Sequence, residues 1–144
     1  MMLHIIKLCV GAESIEDLAH WQAGRLKEQK KRKAKKLELV HVTRMMPKRK
    51  DEVLDGGSLY WVIKGQIAVR QKLLDIREVT KNGTPHCGLV YDAKLVPVQR
   101  RAHRPFQGWR YFKPEDAPPD ARGGKGGQGL PEALQKELVE LGLL

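Results

Sequence analysis

The sequence predicts an α+β fold, in which a compact, mostly antiparallel curved sheet or a β-barrel carries an early helix and a C-terminal helix. Three observations support this class. Apolar residues recur at helical spacing once near the start, between residues 15 and 33. Several short segments after residue 58 instead alternate apolar and polar residues, which is typical of strands. Turn signals separate those segments, and antiparallel strands after an early helix indicate α+β rather than α/β.

Residues 2–10 have a dense apolar pattern that predicts a buried strand. Ser14 offers a hydroxyl oxygen to cap the following helix, and Glu16 and Asp17 suit the positive end of its dipole. We expect this helix to run from residue 15 to about residue 33, so that its far end carries a run of lysines and arginines. Its apolar side is expected to lie in the core and contains Ile15, Leu18, Trp21 and Leu26.

Two strands and a short helix are predicted next. Residues 38–43 have the pattern of a strand, and residues 58–64 alternate more clearly than any other segment. The residues of this second strand that are expected to face one way are Leu59, Trp61 and Ile63. Pro47 suits the first turn of a short helix, which would end at the glycine pair 56–57.

Strands joined by turns are predicted for the part of the chain that follows. Residues 67–80 and 86–99 are two strand regions. Asn82-Gly83 between them is a hairpin signal, because both residue types accept a positive φ. Residues 104–112 form a last extended segment that is rich in aromatic residues. The folded domain is therefore predicted to cover residues 1–113.

The C-terminal part of the chain differs in composition. Residues 114–129 are rich first in proline and then in glycine, which predicts a linker. Residues 130–144 predict a short amphipathic helix, whose apolar side contains Leu134, Leu138 and Leu141. We expect this helix either to cap the core or to dock on a partner protein.

Length and composition exclude several classes of protein. A chain of 144 residues fits one domain and can bury a core without disulfides or metal. No apolar run approaches the roughly 20 residues that cross a bilayer, so no membrane segment is predicted. Cys9 and Cys87 are too few for a disulfide framework, and reduced thiols in a cytoplasmic protein are the expectation.

Positive charge is concentrated in one stretch of the chain. Residues 25–50 hold twelve Lys or Arg and two Glu, so this stretch carries the whole net charge of +10 and the remainder is neutral. Cations at this density neutralise phosphates and release counterions, which favours a nucleic acid as partner over a solvated surface with no partner. The densest phosphate contacts are predicted at Lys30, Lys31, Arg32, Lys33, Lys35 and Lys36.

Further cations precede the strand at residues 58–64 or accompany the late aromatic residues. The additional nucleic-acid contacts predicted there are Arg44, Lys48, Arg49, Lys64, Arg104, Trp109 and Arg110. Arginines interleaved with Trp109, Tyr111 and Phe112 are typical of a surface that stacks bases beside phosphate contacts. The alternative is that these aromatic residues fill the core, and strand alternation allows both, with Trp109 and Tyr111 on one side.

No pattern of residues predicts a reaction, a metal or a cofactor. The glycines at residues 123–129 lack the Lys-Ser/Thr pair of a phosphate-binding loop. The histidines are scattered, and although His4, His41 and His86 could meet on neighbouring strands, no metal-ligand spacing accompanies them. No two carboxylates have a spacing that forces them together.

Several stretches of the sequence form specific motifs. They are HIIKLCVG at residues 4–11, HVTR and PKR between residues 41 and 49, LDGGSLYWVIKG at 54–65, RPFQGWRY at 104–111 and KPEDAP at 113–118. Through them the chain resembles an alphaproteobacterial family of short proteins that is classed as a domain of unknown function. The resemblance covers most of residues 3–120 and implies no activity, because none is assigned to that family.

The order of elements also resembles the PUA-like barrels, a group that includes the ASCH, EVE and YTH domains. Residues 57–65, followed by residues 67–79, are similar to the barrel strands of an EVE-type domain. This resemblance implies a PUA-like β-barrel and recognition of RNA or modified bases. The G-x-K-x-x-E-x-R signature of ASCH domains is absent, since Gly65 is followed by Gln66, so the resemblance implies no particular base-binding residues.

Three hypotheses of function follow from the sequence. The first is a small non-catalytic module that binds RNA, in preference to DNA, with the reading of a modified base left open. The second is an enzyme that acts on a nucleotide or nucleic acid, with a site around Arg44, Tyr60, Lys64 and Trp109. The third is a protein-interaction or assembly factor that docks through its C-terminal helix.

Overall fold

The computed structural model describes residues 2–121, and the predicted C-terminal helix at residues 130–144 lies outside this range. The described elements, in chain order, are β1 (His4–Leu8), α1 (Ile15–Lys31), β2 (Leu39–Thr43), α2 (Lys50–Val53), β3 (Ser58–Ile63), β4 (Gln66–Lys81), β5 (Thr84–Tyr91), β6 (Val96–Ala102) and β7 (Trp109–Phe112). A 3-10 turn at Pro114–Asp116 follows. The mixed α+β class is the one that the sequence predicted.

The strands form one mostly antiparallel sheet of seven strands. Their order is β2-β5-β4-β3-β1-β7, and β6 pairs with β4 off this path. Among the described pairs only β1 and β3 run parallel. β4, with 16 residues, pairs with β3 and β6 through its first half and with β5 through its second. The sheet is open, since no described strand pairing joins its edges β2 and β7, and closure into a barrel is not observed in residues 2–121.

Both faces of the sheet are covered by buried side chains. On one face, which we call the main core, Leu18 of α1 packs with Leu59 and Trp61 of β3. On the opposite face, Tyr60 of β3 packs with Phe112 of β7. All six residues of β3 are therefore buried, and neighbouring residues point to opposite clusters. The alternation predicted along this strand is confirmed.

The predicted cap at Ser14 and the predicted turn at Asn82-Gly83 are confirmed, whereas Pro47 does not lie in the first turn of the short helix, because α2 begins only at Lys50. The Oγ of Ser14 accepts a hydrogen bond from the backbone N–H of Asp17 at 3.0 Å, which caps the start of α1. The helix ends at Lys31, close to its predicted end. Asn82 and Gly83 adopt positive φ values of 52° and 76° and join β4 to β5 as a two-residue hairpin turn.

The prediction that Trp21 lies in the core is wrong, because its side chain is 47% exposed. Gln22 takes a core position instead. Its amide exchanges two hydrogen bonds, of 2.9 and 2.8 Å, with the buried amide of Gln71 on β4. Helical spacing alone misplaced the apolar side of α1, since a polar residue can be buried when a distant partner satisfies it.

The prediction of a single strand region over residues 86–99 is also wrong. A turn divides it into β5 and β6, and the Asp92 carboxylate accepts a hydrogen bond from the backbone N–H of Lys94 at 3.1 Å within that turn. The backbone N–H of Asp92 donates to the carbonyl of Lys72 at 2.8 Å. After the turn β6 runs against the first half of β4, whereas β5 runs against the second half.

Residues 117–121, which the sequence assigned to a linker, run along β6. The backbone N–H of Gln99 donates to the carbonyl of Pro119, and that of Ala121 donates to the carbonyl of Pro97, both at 2.9 Å. Arg70 binds the Asp120 carboxylate through two hydrogen bonds of 2.8 Å each. The remainder of the predicted linker, residues 122–129, lies outside the described residues.

Candidate nucleic-acid interface

The predicted phosphate contacts at residues 30–36, which we call the basic run, surround the C-terminus of α1. Lys30 and Lys31 form its last turn, where cations complement the helix dipole. Arg32 is the C-cap, and Lys33 adopts a left-handed φ of 56° that turns the chain toward β2. All the cations of the basic run are exposed. The structure therefore presents them together at one end of α1.

Carboxylates in the described part of the chain leave most of the basic run uncompensated. Lys36 lies 3.6 Å from Glu38, but that carboxylate also accepts two hydrogen bonds from the guanidinium of Arg77, at 3.1 and 3.2 Å. Within residues 2–121, no ion pair forms with Lys30, Lys31, Arg32, Lys33 or Lys35. Their positive charge is available to an anionic partner from outside these residues.

The segment after β2, residues 44–49, lies over β7. The indole Nε1 of Trp109 donates a hydrogen bond to the carbonyl of Met45 at 2.8 Å, and the backbone N–H of Arg49 donates to the Oη of Tyr111 at 3.0 Å. Arg44 and Lys48 are exposed on this segment. The structure thus brings these predicted contacts to Trp109, although the sequence places them some 60 residues before it.

Two of these predicted contacts already have partners within the domain. The Arg49 guanidinium pairs with the carboxylate of Glu52 through two hydrogen bonds, one of them of 2.8 Å, and lies 5.7 Å from the centre of the Tyr111 ring. Trp109 is half-buried, and its ring meets Tyr111 edge to face at 4.9 Å. Stacking of a base on Trp109 stays a prediction. A base could contact only the exposed part of this ring.

Lys64, Arg104 and Arg110 form a separate group. Lys64 lies in the turn between β3 and β4 and pairs with Glu13 at 3.7 Å. The backbone N–H of His103 donates to the carbonyl of Gly65 at 2.9 Å, which brings Arg104 to the same turn. Arg110 covers the Phe106 ring at 5.5 Å and points away from Trp109, because neighbouring strand residues face opposite sides.

The residues proposed for an enzymatic site do not all come together, since the segment of Arg44 lies beside Trp109 but Tyr60 does not. Tyr60 lies on the face opposite Trp109, where its ring contacts His4 at 4.9 Å and Phe112 at 5.3 Å. Lys64 is engaged with Glu13. Burial raises the pKa of the Tyr60 hydroxyl, so this group stays protonated.

The three strand histidines are separated in the structure. The Nδ1 of His4 accepts a hydrogen bond from the backbone N–H of Ser58 at 2.9 Å, whereas His41 packs edge to face on Trp61 at 5.4 Å. The ring nitrogen of His86 faces the carbonyl of Thr84. Among residues 2–121, no three His, Cys, Asp or Glu side chains are grouped so that they could hold a metal ion.

Both cysteines are free thiols that pack against the main core. Burial raises the pKa of the Cys9 thiol to about 11 and also raises that of Cys87, so both thiols are protonated near neutral pH. Neither thiol has the activated character of a nucleophile.

None of the helices within residues 2–121 combines the length and apolar character that crossing a membrane requires.

Sequence reasoning missed two residues beside the basic run. The guanidinium of Arg25 lies 4.3 Å from the centre of the Trp21 ring, and its Nη1 donates to the carbonyl of Val40 on β2 at 3.3 Å. Trp21, Arg25 and Arg32 recur at helical spacing along the side of α1 that borders β2. That spacing was visible in the sequence, but the assignment of Trp21 to the core concealed it.

A cavity of about 260 Å³ opens beside Trp21, between the first half of α1 and the end of β1. We call it the Trp21 pocket, and its lining consists of residues 7–12, Asp17, Leu18, Trp21, His41 and Trp61. Lys7 lies opposite Trp61 of β3 on one side and opposite Trp109 of β7 on the other. Its half-buried side chain is therefore flanked by two indole side chains on the neighbouring strands. Burial lowers the pKa of the Lys7 ammonium.

His41 contributes an unusual polar group to this pocket. Its Nε2 is buried and has no hydrogen-bond partner in the described part of the chain. Burial, and then the positive charges of Lys7, Arg25 and Lys81, lower the pKa of His41 to about 4. The imidazole is therefore neutral near pH 7, and its Nε2 is a donor or an acceptor, according to the tautomer, that no group of residues 2–121 satisfies.

A second hollow, of about 340 Å³, connects this region with the basic run. It is lined by Arg25, Glu28, Gln29, Arg32, Glu38 and Val40. Arg25 lines this second hollow and contacts the Trp21 ring of the first, and Arg32, which also lines the second hollow, belongs to the basic run. Together they form a path along the border of α1 and β2.

Comparison with known proteins identifies the chain at the level of a family. A family model described as "Protein of unknown function (DUF1489)" matches residues 5–144. No curated protein and no solved structure matches the chain. The family of unknown function that the motifs indicated is thus confirmed, and the PUA-like relationship stays a prediction.

Proposed function

We propose that this chain, which belongs to the DUF1489 family, is a small non-catalytic module that binds RNA through the basic run. One observation carries the proposal. Five cations of the basic run are exposed at the end of α1, and no carboxylate of the described residues pairs with them. Because residues outside 25–50 have no net charge, this surface is the dominant charged feature of the chain.

Phosphate binding is the chemistry that such a surface supports best. Each cation that replaces a condensed counterion on the nucleic acid adds entropy to binding, and the affinity then falls with salt. A membrane surface is less well matched, because the apolar side of α1 is occupied by the main core and offers no face for insertion. We place the protein in the cytoplasm, where an RNA partner is accessible.

Single-stranded RNA is favoured as the form of nucleic acid. Exposed Trp21 and half-buried Trp109 offer aromatic surface, and unpaired bases stack on such surface more readily than paired ones do. Lys48, Arg104 and Arg110 supply further exposed cations. The PUA-like relationship proposed from the order of elements, with a helix between β1 and β2, implies the same class of ligand.

The two alternative functions have less support. Two residues of the enzyme hypothesis, Tyr60 and Trp109, lie on opposite faces of the sheet. The helix of the assembly hypothesis lies outside the described residues.

The test is the salt dependence of RNA binding, measured by fluorescence anisotropy with a labelled single strand of about 12 nucleotides, which lies within usual site sizes. Between about 50 and 200 mM salt, the slope of log affinity against log salt should fall in magnitude by about 3 when four contacts are removed. The variant replaces Lys30, Lys31, Lys33 and Lys35 with glutamine.

The control variant removes the same charge elsewhere, by replacing the exposed residues Lys72, Lys81, Lys94 and Lys113 with glutamine. It should keep most of the affinity and most of the slope. Equal losses in the two variants would reduce the effect to net charge and contradict the proposed surface. Wild-type protein that fails to bind, or binds without dependence on salt, would overturn the proposed function.

A further inference from the structure

We propose that the Trp21 pocket holds a single nucleobase of the bound strand, while the basic run holds its phosphates. This inference rests on the proposed function and adds the site at which a base is recognised. Its ligand is a planar ring that presents hydrogen-bonding groups at its edge. Aromatic surface, unsatisfied polar groups, the size of the pocket and its position all support this choice.

Aromatic surface at the pocket is already partly organised for stacking. Trp21 is 47% exposed, although a tryptophan is usually buried in large part. The Arg25 guanidinium covers the ring at 4.3 Å, and its hydrogen bond to the Val40 carbonyl holds it there. Base stacking on a tryptophan beside an arginine is a common mode of single-strand recognition.

Polar groups that line the pocket have hydrogen-bonding capacity that the described residues do not use. The buried Nε2 of His41 has no partner within residues 2–121, and a buried polar atom without a partner needs an explanation. Lys7 supplies N–H donors at the same wall. A nucleobase edge offers carbonyl and ring-nitrogen acceptors to such donors, together with donors of its own.

The size of the pocket favours a single ring system. Its volume of about 260 Å³ lies just below the usual range of roughly 300–1,000 Å³ for small-molecule sites. A planar base fits this space better than an extended ligand does. Lys7 and His41, with Trp61 beside them, form a mixed polar and apolar lining, as is usual where orientation matters.

The position of the pocket connects it with the phosphate surface. From Trp21 to Arg32, α1 rises by about 16 Å. Arg25 and Arg32 lie on the same side of the helix over this distance, beside the second hollow. A strand that follows this side would keep its phosphates near arginines from the pocket to the basic run.

The test compares two labelled single strands of about 12 nucleotides, one with bases and one built only from abasic residues. Both carry the same phosphates. Wild-type protein should bind the strand with bases roughly 5- to 150-fold more tightly, the range that one stacked base provides. Trp21→Ala should lower that ratio by about fivefold or more and leave binding of the abasic strand unchanged.

Two further variants keep the test decisive. Lys7→Met should lower the ratio in the same way, and it replaces Trp21→Ala if the latter loses its native circular dichroism. Leu74→Ala, at an exposed apolar residue outside the lining of the pocket, should keep the wild-type ratio. A ratio that neither pocket variant lowers would assign base recognition elsewhere and overturn the inference.

The outcomes separate this inference from the proposed function. Equal, salt-dependent binding of both strands by wild-type protein would overturn the pocket and leave the phosphate surface in place. If neither strand binds, the proposed function is overturned. The pocket is then tested with the four ribonucleoside 5′-monophosphates by quenching of tryptophan fluorescence, and absence of saturable quenching would overturn the inference too.

Discussion

Trp109 and Met45 connect the two edges of an open sheet, since the indole Nε1 of Trp109 donates a 2.8 Å hydrogen bond to the Met45 carbonyl. Met45 follows the edge strand β2, and Trp109 begins the other edge strand, β7. The backbone N–H of Arg49 adds a second contact, to the hydroxyl of Tyr111. Side chains thus close a gap that no described strand pairing closes.

Removal of the Trp109 donor should destabilise the domain. Trp109→Phe keeps an aromatic ring but leaves the Met45 carbonyl without this donor, so we expect a loss of about 1 kcal/mol in the free energy of unfolding. Urea denaturation measures this loss. The matched control is Trp21→Phe at an exposed ring, which should change stability by less than about 0.5 kcal/mol. Equal effects of the two changes would contradict a specific role for the contact at Trp109.

A buried amide network should show strong coupling between its members. Gln71 Oε1 accepts from Gln22 Nε2 and from Trp61 Nε1, both at 2.9 Å, and Gln71 Nε2 donates to the Asp92 carbonyl at 3.0 Å. Gln71→Leu leaves several buried groups unpaired and should cost about 3 kcal/mol of unfolding free energy.

The double variant Gln22→Leu/Gln71→Leu provides the control for that prediction. It removes both amides, so it should be less destabilised than the sum of the two single changes by about 1 kcal/mol or more. Chemical denaturation of all four proteins completes the cycle. Strict additivity would show that the two amides do not depend on each other.

Acid should weaken the fold through His41. Its pKa is about 4 in the folded protein and 6.5 as an unperturbed group, so the unfolded chain binds the proton more readily. Stability should therefore decrease as the pH falls from 6.5 toward 4, by up to about 3 kcal/mol from this residue. His41→Phe keeps a ring against Trp61 and should lose this part of the pH dependence.

The measurement for His41 is urea unfolding of wild-type and variant protein over this pH range. Carboxylates titrate in both proteins, so their contribution cancels in the difference between the two curves. His4, whose pKa is lowered by burial and then by Arg70, contributes with the same sign and also cancels. Parallel curves would contradict a neutral, buried His41.

Two glycines should respond to alanine in opposite directions. A Cβ on Gly57 would overlap the backbone carbonyl oxygens of Leu3 and Val53, which cannot move far, so Gly57→Ala should destabilise by about 1–3 kcal/mol. Gly24 lies within α1 with no atom near its missing Cβ, and Gly24→Ala should stabilise by about 0.5–1 kcal/mol. Thermal unfolding distinguishes the two, and a tolerated Gly57→Ala would contradict the close packing at that residue.

Local patterns in the sequence predicted much of the fold. The cap at Ser14, the hairpin turn at Asn82-Gly83 and the alternation of β3 were all correct. Each depends on the conformational preferences of residues that are close in the chain, so a short window of sequence contains the necessary information. The position of the basic run along the chain also followed directly from the sequence.

Errors arose where a distant residue decides the outcome. Gln22 is buried because Gln71, 49 residues later, satisfies its amide, and Trp21 is consequently left at the border of the helix. The division of residues 86–99 depends on β4, which pairs with β5 and β6 through different halves. A short window of sequence around Gln22 or around residues 86–99 contains neither Gln71 nor β4, so it gives no sign of these partners.

By itself, the sequence determined the α+β class, the local caps and turns, and one concentrated region of positive charge, because these depend on residue types and short spacings. Only the tertiary structure decided that Trp109 meets Met45, that Trp21 lies outside the core, and that a pocket opens beside His41. These relationships depend on how strands and helix pack, and packing joins residues whose separation along the chain carries no signal of contact.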